Sequence, residues 1–193
     1  MIRDIYQSSD FETPNASTSL SREEKLAEIA DAPVHCLRYI GADGHMETLG
    51  LSLPYTEISS FYAGIPRDTD NLVCFRMSLG DPELYGQGIG TRILRAVSQY
   101  TAEKHAARVL LAKDCRLGFV NTAIKVYGQG AVKVRHNGQE FGRGCDRSLE
   151  EMLDEYPVDQ TKTYVVRYLE ARFDPDIAAA WEPPVVEDTA ELI

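Results

Sequence analysis

Residues 72–105, LVCFRMSLGDPELYGQGIGTRILRAVSQYTAEKH, decide how the whole chain is read. Residues 72–79 alternate in a way that favours a β-strand. Gly80-Asp81-Pro82 stops that strand, because glycine and proline punctuate regular structure. Tyr85-Gly86-Gln87-Gly88-Ile89-Gly90 is a glycine loop. Behind it Ile93, Leu94, Val97 and Thr101 recur at helical spacing, which predicts an amphipathic helix over 91–105. A strand, a glycine-rich turn and a helix make a phosphate site. The helix N-terminus supplies unpaired N–H groups and partial positive charge, and glycine lets a ligand approach the backbone.

Working outward, residues 108–113 form a buried-type strand, 119–128 a second helix, and 131–135 and 162–170 two more strands. Between these last two, Asp146 is expected to cap a helix with Leu149, Met152, Leu153 and Tyr156 on one face and Glu150, Glu151, Asp154 and Glu155 on the other. Upstream, Ser21-Arg22-Glu23-Glu24 is a capping box. Residues 34–40 and 46–53 read as strands joined by the turn Gly41-Ala42-Asp43-Gly44. The span 54–71 suggests only a short helix around Glu57 to Tyr62. The ends are polar or proline-containing. The chain therefore divides into a flexible arm (1–20), a domain (21–173) and an extended tail (174–193). The expected fold is α/β in the α+β sense: a mixed, mainly antiparallel sheet flanked by helices.

Composition narrows the function classes. The chain has 193 residues, 44% of them hydrophobic, enough for a sizeable core. Its formal net charge of -10 argues against a nucleic-acid partner, since phosphate backbones demand a positive field. No apolar run approaches the roughly 18 residues that cross a bilayer, so no membrane role is expected. Cys36, Cys74, Cys115 and Cys145 lie far apart, and His35, His45, His105 and His136 lack metal-ligand spacing. No metal is expected, and the reading is a reduced, cytoplasmic protein.

Three readings compete for the glycine loop. A nucleotide-binding P-loop fails, because no lysine followed by Ser or Thr closes it. A dinucleotide-binding loop matches Gly86 and Gly88 but meets Thr91 at the third glycine, although Asp114 stands where a ribose-binding acid belongs. A tight turn without ligand is the third. Beyond these, residues 72–134 resemble the GNAT superfamily of acyl-CoA N-acyltransferases. The string from Gly80 to Thr91 is similar to its aminoglycoside acetyltransferase branch. The family carries Arg or Gln, two variable residues, Gly, a variable residue, then Gly or Ala. Here Tyr85 takes the first position, with Gly88 and Gly90 at the small ones.

The resemblance implies a GNAT-like domain that transfers an acyl group, most simply acetyl, from coenzyme A to a primary amine. Tyr85, Gly86, Gln87, Gly88, Ile89, Gly90 and Thr91 would hold the coenzyme phosphates. The backbone of Met77 to Gly80 would pair with the pantetheine arm, and Leu79 or Gly80 would supply an oxyanion donor. In the next helix Asn121, Ala123 and Tyr127 match the family in kind. Asn121 would contact coenzyme, although it stands six residues before Tyr127, one fewer than usual. Tyr127 would protonate the departing thiolate, a task suited to a phenol of pKa near 10; its competing role is a core tyrosine. Arg92 and Arg95 either meet phosphates or are solvated. Glu47, Glu57, Asp81 and Glu83 are conceivable bases, and nothing chooses among them. The four acids of the inserted helix would attract a cationic acceptor or simply face solvent. A homodimer is compatible with this reading. So is a degenerate GNAT-fold protein that binds or regulates without turnover, since Tyr85 and Asn121 depart from the pattern.

Overall fold

The computed structural model describes residues 20–40, 46–54, 61–66, 69–76, 82–157 and 164–188. The strands are β1 (His35–Ile40), β2 (Met46–Ser52), β3 (Phe61–Pro66), β4 (Asn71–Arg76), β5 (Val109–Arg116), β6 (Val132–His136), β7 (Gln139–Gly142), β8 (Val165–Arg172) and β9 (Val185–Asp188). The helices are α1 (Arg22–Asp31), α2 (Ile89–His105), α3 (Leu117–Tyr127), α4 (Leu149–Glu155) and α5 (Pro175–Ala178). The nine strands among the described residues join one sheet in the order β7-β6-β8-β5-β4-β3-β2-β1-β9. Every neighbouring pair is antiparallel except β4 with β5 and β1 with β9. The fold is thus the mixed, mainly antiparallel sheet with flanking helices that the sequence predicts.

Parallel β4 and β5 need a crossover, and α2 supplies it. Its buried stripe of Ile89, Ile93, Leu94, Val97 and Tyr100 joins the same core as Leu49 and Leu51 of β2, Leu72 of β4 and Leu110 of β5. The start of the pair is pinned by the Asp70 carbonyl, which accepts from Arg108 N at 2.9 Å and Val109 N at 3.1 Å. Pairing runs from Asn71↔Val109 to Cys74↔Ala112. Past that point β4 stays with β3 through Tyr62↔Arg76, and β5 stays with β8 through Arg116↔Val165. The two strands therefore part after Cys74 and Ala112. The cause is local: between Tyr62 and Ala63 the β3–β4 register slips, leaving Phe75 as an extra residue on β4. Such a bulge bends its strand and increases the local twist.

Four expectations are corrected. The span 54–71 contributes strand β3, which takes in Phe61 and Tyr62, rather than a helix reaching Tyr62; Glu57 lies outside the described residues. The inserted helix is capped by Ser148, not Asp146. Glu151 N donates to Ser148 Oγ at 3.1 Å, and the Glu151 carboxylate accepts from Ser148 N at 2.6 Å. A short strand, β7, precedes that helix. The tail is not merely extended: residues 175–178 form α5, and β9 adds a parallel edge strand to β1, with Val185 N donating to Val34 O at 2.8 Å. Among the described residues no helix is long and apolar enough to cross a membrane.

Candidate active site

The glycine loop sits at the end of the sheet where β4 and β5 part. Pro82–Leu84 make one 3₁₀ turn, anchored by buried Leu84, and Tyr85, Gly86, Gln87 and Gly88 are exposed. Gly86 has φ +78 and Gly88 φ +80, left-handed angles that favour glycine. A Cβ built on either would meet nothing within 4 Å, so open space lies before the backbone. Gly88 is the N-cap of α2 and offers no side chain to the first turn. Among the described residues no side chain caps the N–H groups of Ile89, Gly90 and Thr91, and the first turn carries no acid. The helix starts at Ile89, so these three residues form its first turn. Gln87 folds back, with Nε2 at 3.5 Å from the Tyr85 carbonyl. Leu79, Gly80 and Asp81 lie outside the described residues.

Arg92 is half-buried and engaged away from the loop, and Arg95 is exposed. The Arg92 guanidinium donates to the carbonyls of Ile29 at 2.6 Å, Ala32 at 2.5 Å and Ala30 at 3.3 Å. It also pairs with Glu182 at 3.2 Å. It thus satisfies the orphan carbonyls at the end of α1, where positive charge also suits the helix dipole. Arg95 lies over the Trp181 ring, 6.0 Å from its centroid.

Tyr127 closes α3 and turns its hydroxyl toward α2. The hydroxyl lies 2.6 Å from Ser98 Oγ, and Ser98 Oγ lies 2.7 Å from the Leu94 carbonyl. Ser98 has one proton, which the Leu94 carbonyl accepts, so Tyr127 is the donor to Ser98. The Tyr127 ring stacks on Phe173 at 5.2 Å and lies at 6.3 Å from Trp181. Burial pushes its pKa above the ordinary phenol range. The Ser98 hydrogen bond acts in the opposite direction, and the nearby Cys74 thiol adds to the rise. Cys74 is the last β4 residue paired with β5.

Asn121 does not share this face. Six residues at about 100° each leave it about 120° around the helix from Tyr127, whereas a seven-residue spacing would align the two. Ala123, one turn before Tyr127, is fully buried. Glu47 is corrected as a candidate base. It is buried, accepts from Tyr100 Oη at 3.0 Å and lies 3.1 Å from Arg38 Nε and 3.3 Å from His105 Nε2. Its register partner on β3 is Ile65, away from the Tyr62↔Arg76 end where β4 and β5 part. Glu83 is exposed on the 3₁₀ turn. Of the four acids on α4, Glu151 serves the cap and Glu155 pairs with Arg147 at 2.9 Å, while Glu150 and Asp154 are exposed.

Sequence reasoning missed Ser98, Phe173 and Trp181. Ser98 had a readable signal, since it stands four residues after Leu94 and one after Val97, on the buried side of α2. Phe173 and Trp181 had none, because their contact with Tyr127 depends on how the C-terminal segment folds back. No family model matches the chain, and no curated protein matches it significantly.

Proposed function

We propose that the chain is an acyl-CoA-dependent N-acyltransferase that moves an acyl group, most simply acetyl, from coenzyme A to a primary amine. The observation that carries this reading is one juxtaposition. An uncapped α2 N-terminus behind a left-handed glycine pair adjoins the place where β4 and β5 separate, and the Tyr127 phenol is hydrogen-bonded to Ser98 of that same helix. The N–H groups of the α2 first turn suit a pyrophosphate. The parted strands leave β4 backbone groups unpaired by β5, as an extended pantetheine arm requires. The amine nitrogen attacks the thioester carbonyl, the C–S bond breaks, and the thiolate takes a proton from Tyr127. Ser98 can turn its own proton toward Tyr127 as the phenol proton leaves, giving up its bond to Leu94. That exchange costs about one hydrogen bond, about 1 kcal/mol.

A second reading is favoured by the engagement of Tyr127. Its proton already lies on Ser98 and its ring is packed by Phe173 and Trp181, which suits a protein of this kind that binds coenzyme without turnover. The test mixes the full chain with acetyl-CoA and a panel of amines, following released thiol, with thermal stabilisation by coenzyme A and by NAD measured in parallel. Stabilisation by coenzyme A with thiol release from at least one amine is the expected result. Stabilisation without release across the panel supports the second reading. Stabilisation by NAD and not by coenzyme A overturns both.

A further inference from the structure

Alternation along the strands assigns the residues of the sheet to two faces. Cys36, Leu49, Leu72, Leu110 and Leu169 share one face through the strand registers. They join one core with Ile29 of α1, Ile93 of α2, Val120 of α3 and Met152 of α4, and α5 packs against α2. Among the described residues, all five helices therefore cover that face, and no helix covers the other. A sheet face built for water carries polar side chains. The uncovered face instead presents Leu37 and Tyr39 on β1, Val73 on β4, and Val109 and Leu111 on β5, all half-buried. Contiguous apolar surface of this kind marks an interaction site.

We propose that this face seats a second copy of the chain, the two sheets packing face to face about a two-fold axis. The shape of the face is the first argument. The registers align Tyr39, Thr48, Gly64, Val73 and Leu111 in one row across β1 to β5. By residue size the row is low at Thr48 and Gly64 and high at Val73 and Leu111. A two-fold axis running along the strands between β3 and β4 reverses the strand order. It sets Val73 over Gly64 of the second copy and Leu111 over Thr48 of the second copy. Each copy then offers the other the same knobs and holes, as a two-fold interface requires.

Charge is the second argument. The chain as a whole carries -10, which opposes self-association through most of its surface. Among the described side chains of this face, Lys113, Lys133, Arg135 and Arg172 stand against Glu140, Glu170 and Glu187, so the acidic excess is absent here. The same axis lays β6 over β9 of the second copy, which brings Lys133 and Arg135 toward Glu187. The charges lie on the outer strands, leaving β1 to β4 as an apolar and uncharged centre with a polar rim. Area is the third argument. Eight of the nine strands lie over the second copy. At about 4.8 Å per strand and about 20 Å of strand length, that is about 770 Å² per copy, close to the roughly 800 Å² per partner of a stable complex. Twisted sheets pack in this aligned way in β-sandwiches.

Sedimentation equilibrium of the full chain tests this. At about 50 μM, above the micromolar dissociation constants at the weak end for interfaces of this size, the parent should sediment at twice the chain mass of 21.5 kDa. Val73→Lys and Leu111→Lys, checked for folding by circular dichroism, should each sediment at the single-chain mass. Leu111→Thr keeps strand preference and covers the case in which the lysine variants do not fold; it should raise the dissociation constant at least about tenfold. Ile177→Lys, on α5 and 61% exposed, is the control and should stay dimeric. A monomeric parent at that concentration overturns the proposal. So does a folded Leu111→Lys variant that stays dimeric, a Leu111→Thr variant with unchanged dissociation, or loss of the dimer in Ile177→Lys.

Discussion

Arg92→Met removes every donor of the guanidinium and keeps an unbranched stem. Three carbonyls lose their partner: Ile29 at 2.6 Å, Ala32 at 2.5 Å and Ala30 at 3.3 Å. Hydrogen bonds to a charged group contribute about 1.5–3 kcal/mol each. Only the two short bonds count fully, and the pair with Glu182 adds little because that carboxylate is 59% exposed. The Arg92 side chain itself keeps 25% of its surface in water. Two bonds at the low end, less partial replacement by water, give a loss of about 2–3 kcal/mol. For a chain of this size that lowers Tm by about 4–12 °C. Thermal and urea unfolding measure the loss, and hydrogen exchange should show α1 opening first. Coenzyme A affinity, read by calorimetry on the folded variant, should not change. A loss below about 0.5 kcal/mol, the range of an ordinary surface substitution, would refute the argument that Arg92 ties α1 to α2. Preserved stability with weakened coenzyme binding would instead return Arg92 to the phosphates.

Tyr127→Phe should leave the chain folded and lower kcat at least about tenfold at unchanged coenzyme affinity, given that general acids contribute about a hundredfold or more and water can substitute in part; a change confined to KM would locate the effect in binding. The same variant has a pH signature. The folded pKa of Tyr127 is raised, so its contribution to stability is whole below the unfolded value of about 10 and is lost as pH rises toward the folded value, by about 1.4 kcal/mol per pH unit. Unfolding followed between neutral and strongly alkaline pH should therefore be shallower in Tyr127→Phe than in the parent, and equal slopes would count against a buried phenol. Gly88→Val should cost about 1–2 kcal/mol of backbone strain at φ +80 and abolish coenzyme binding, since its side chain enters the open space before the loop; unchanged affinity in the folded variant rejects the phosphate site. Gly142→Ala should destabilise by more than about 2 kcal/mol, because its Cβ would collide with the Val132 carbonyl oxygen and come within 2.9 Å of Leu149 Cγ at φ +90. Normal thermal stability of that variant would refute the tight seat of β7 against α4.

The sequence by itself determined what depends on near neighbours. Ser21 and Glu24 close their capping box within one turn. The spacing of Ile93, Leu94 and Val97 sets the buried face of α2, and Gly86 and Gly88 take the left-handed angles a tight loop needs. Periods of two and 3.6 residues are properties of adjacent side chains, so strand β4, helix α2 and strand β5 are legible in order. Boundaries were less so: α2 starts two residues early because Ile89 and Gly90 are already buried against the core. Only tertiary structure decided the rest. Arg92 reads as a surface or phosphate-binding arginine until α1, some 60 residues upstream, brings its carbonyls within reach. The proline-containing tail has weak local preference, and β9 becomes a strand because the β1 edge offers unpaired backbone groups. Tyr127 acquires its environment the same way. Ser98 lies 29 residues before it, while Phe173 and Trp181 arrive from beyond β8. Long-range contacts of this kind leave no period in the chain, because each partner's own neighbours are compatible with many other packings.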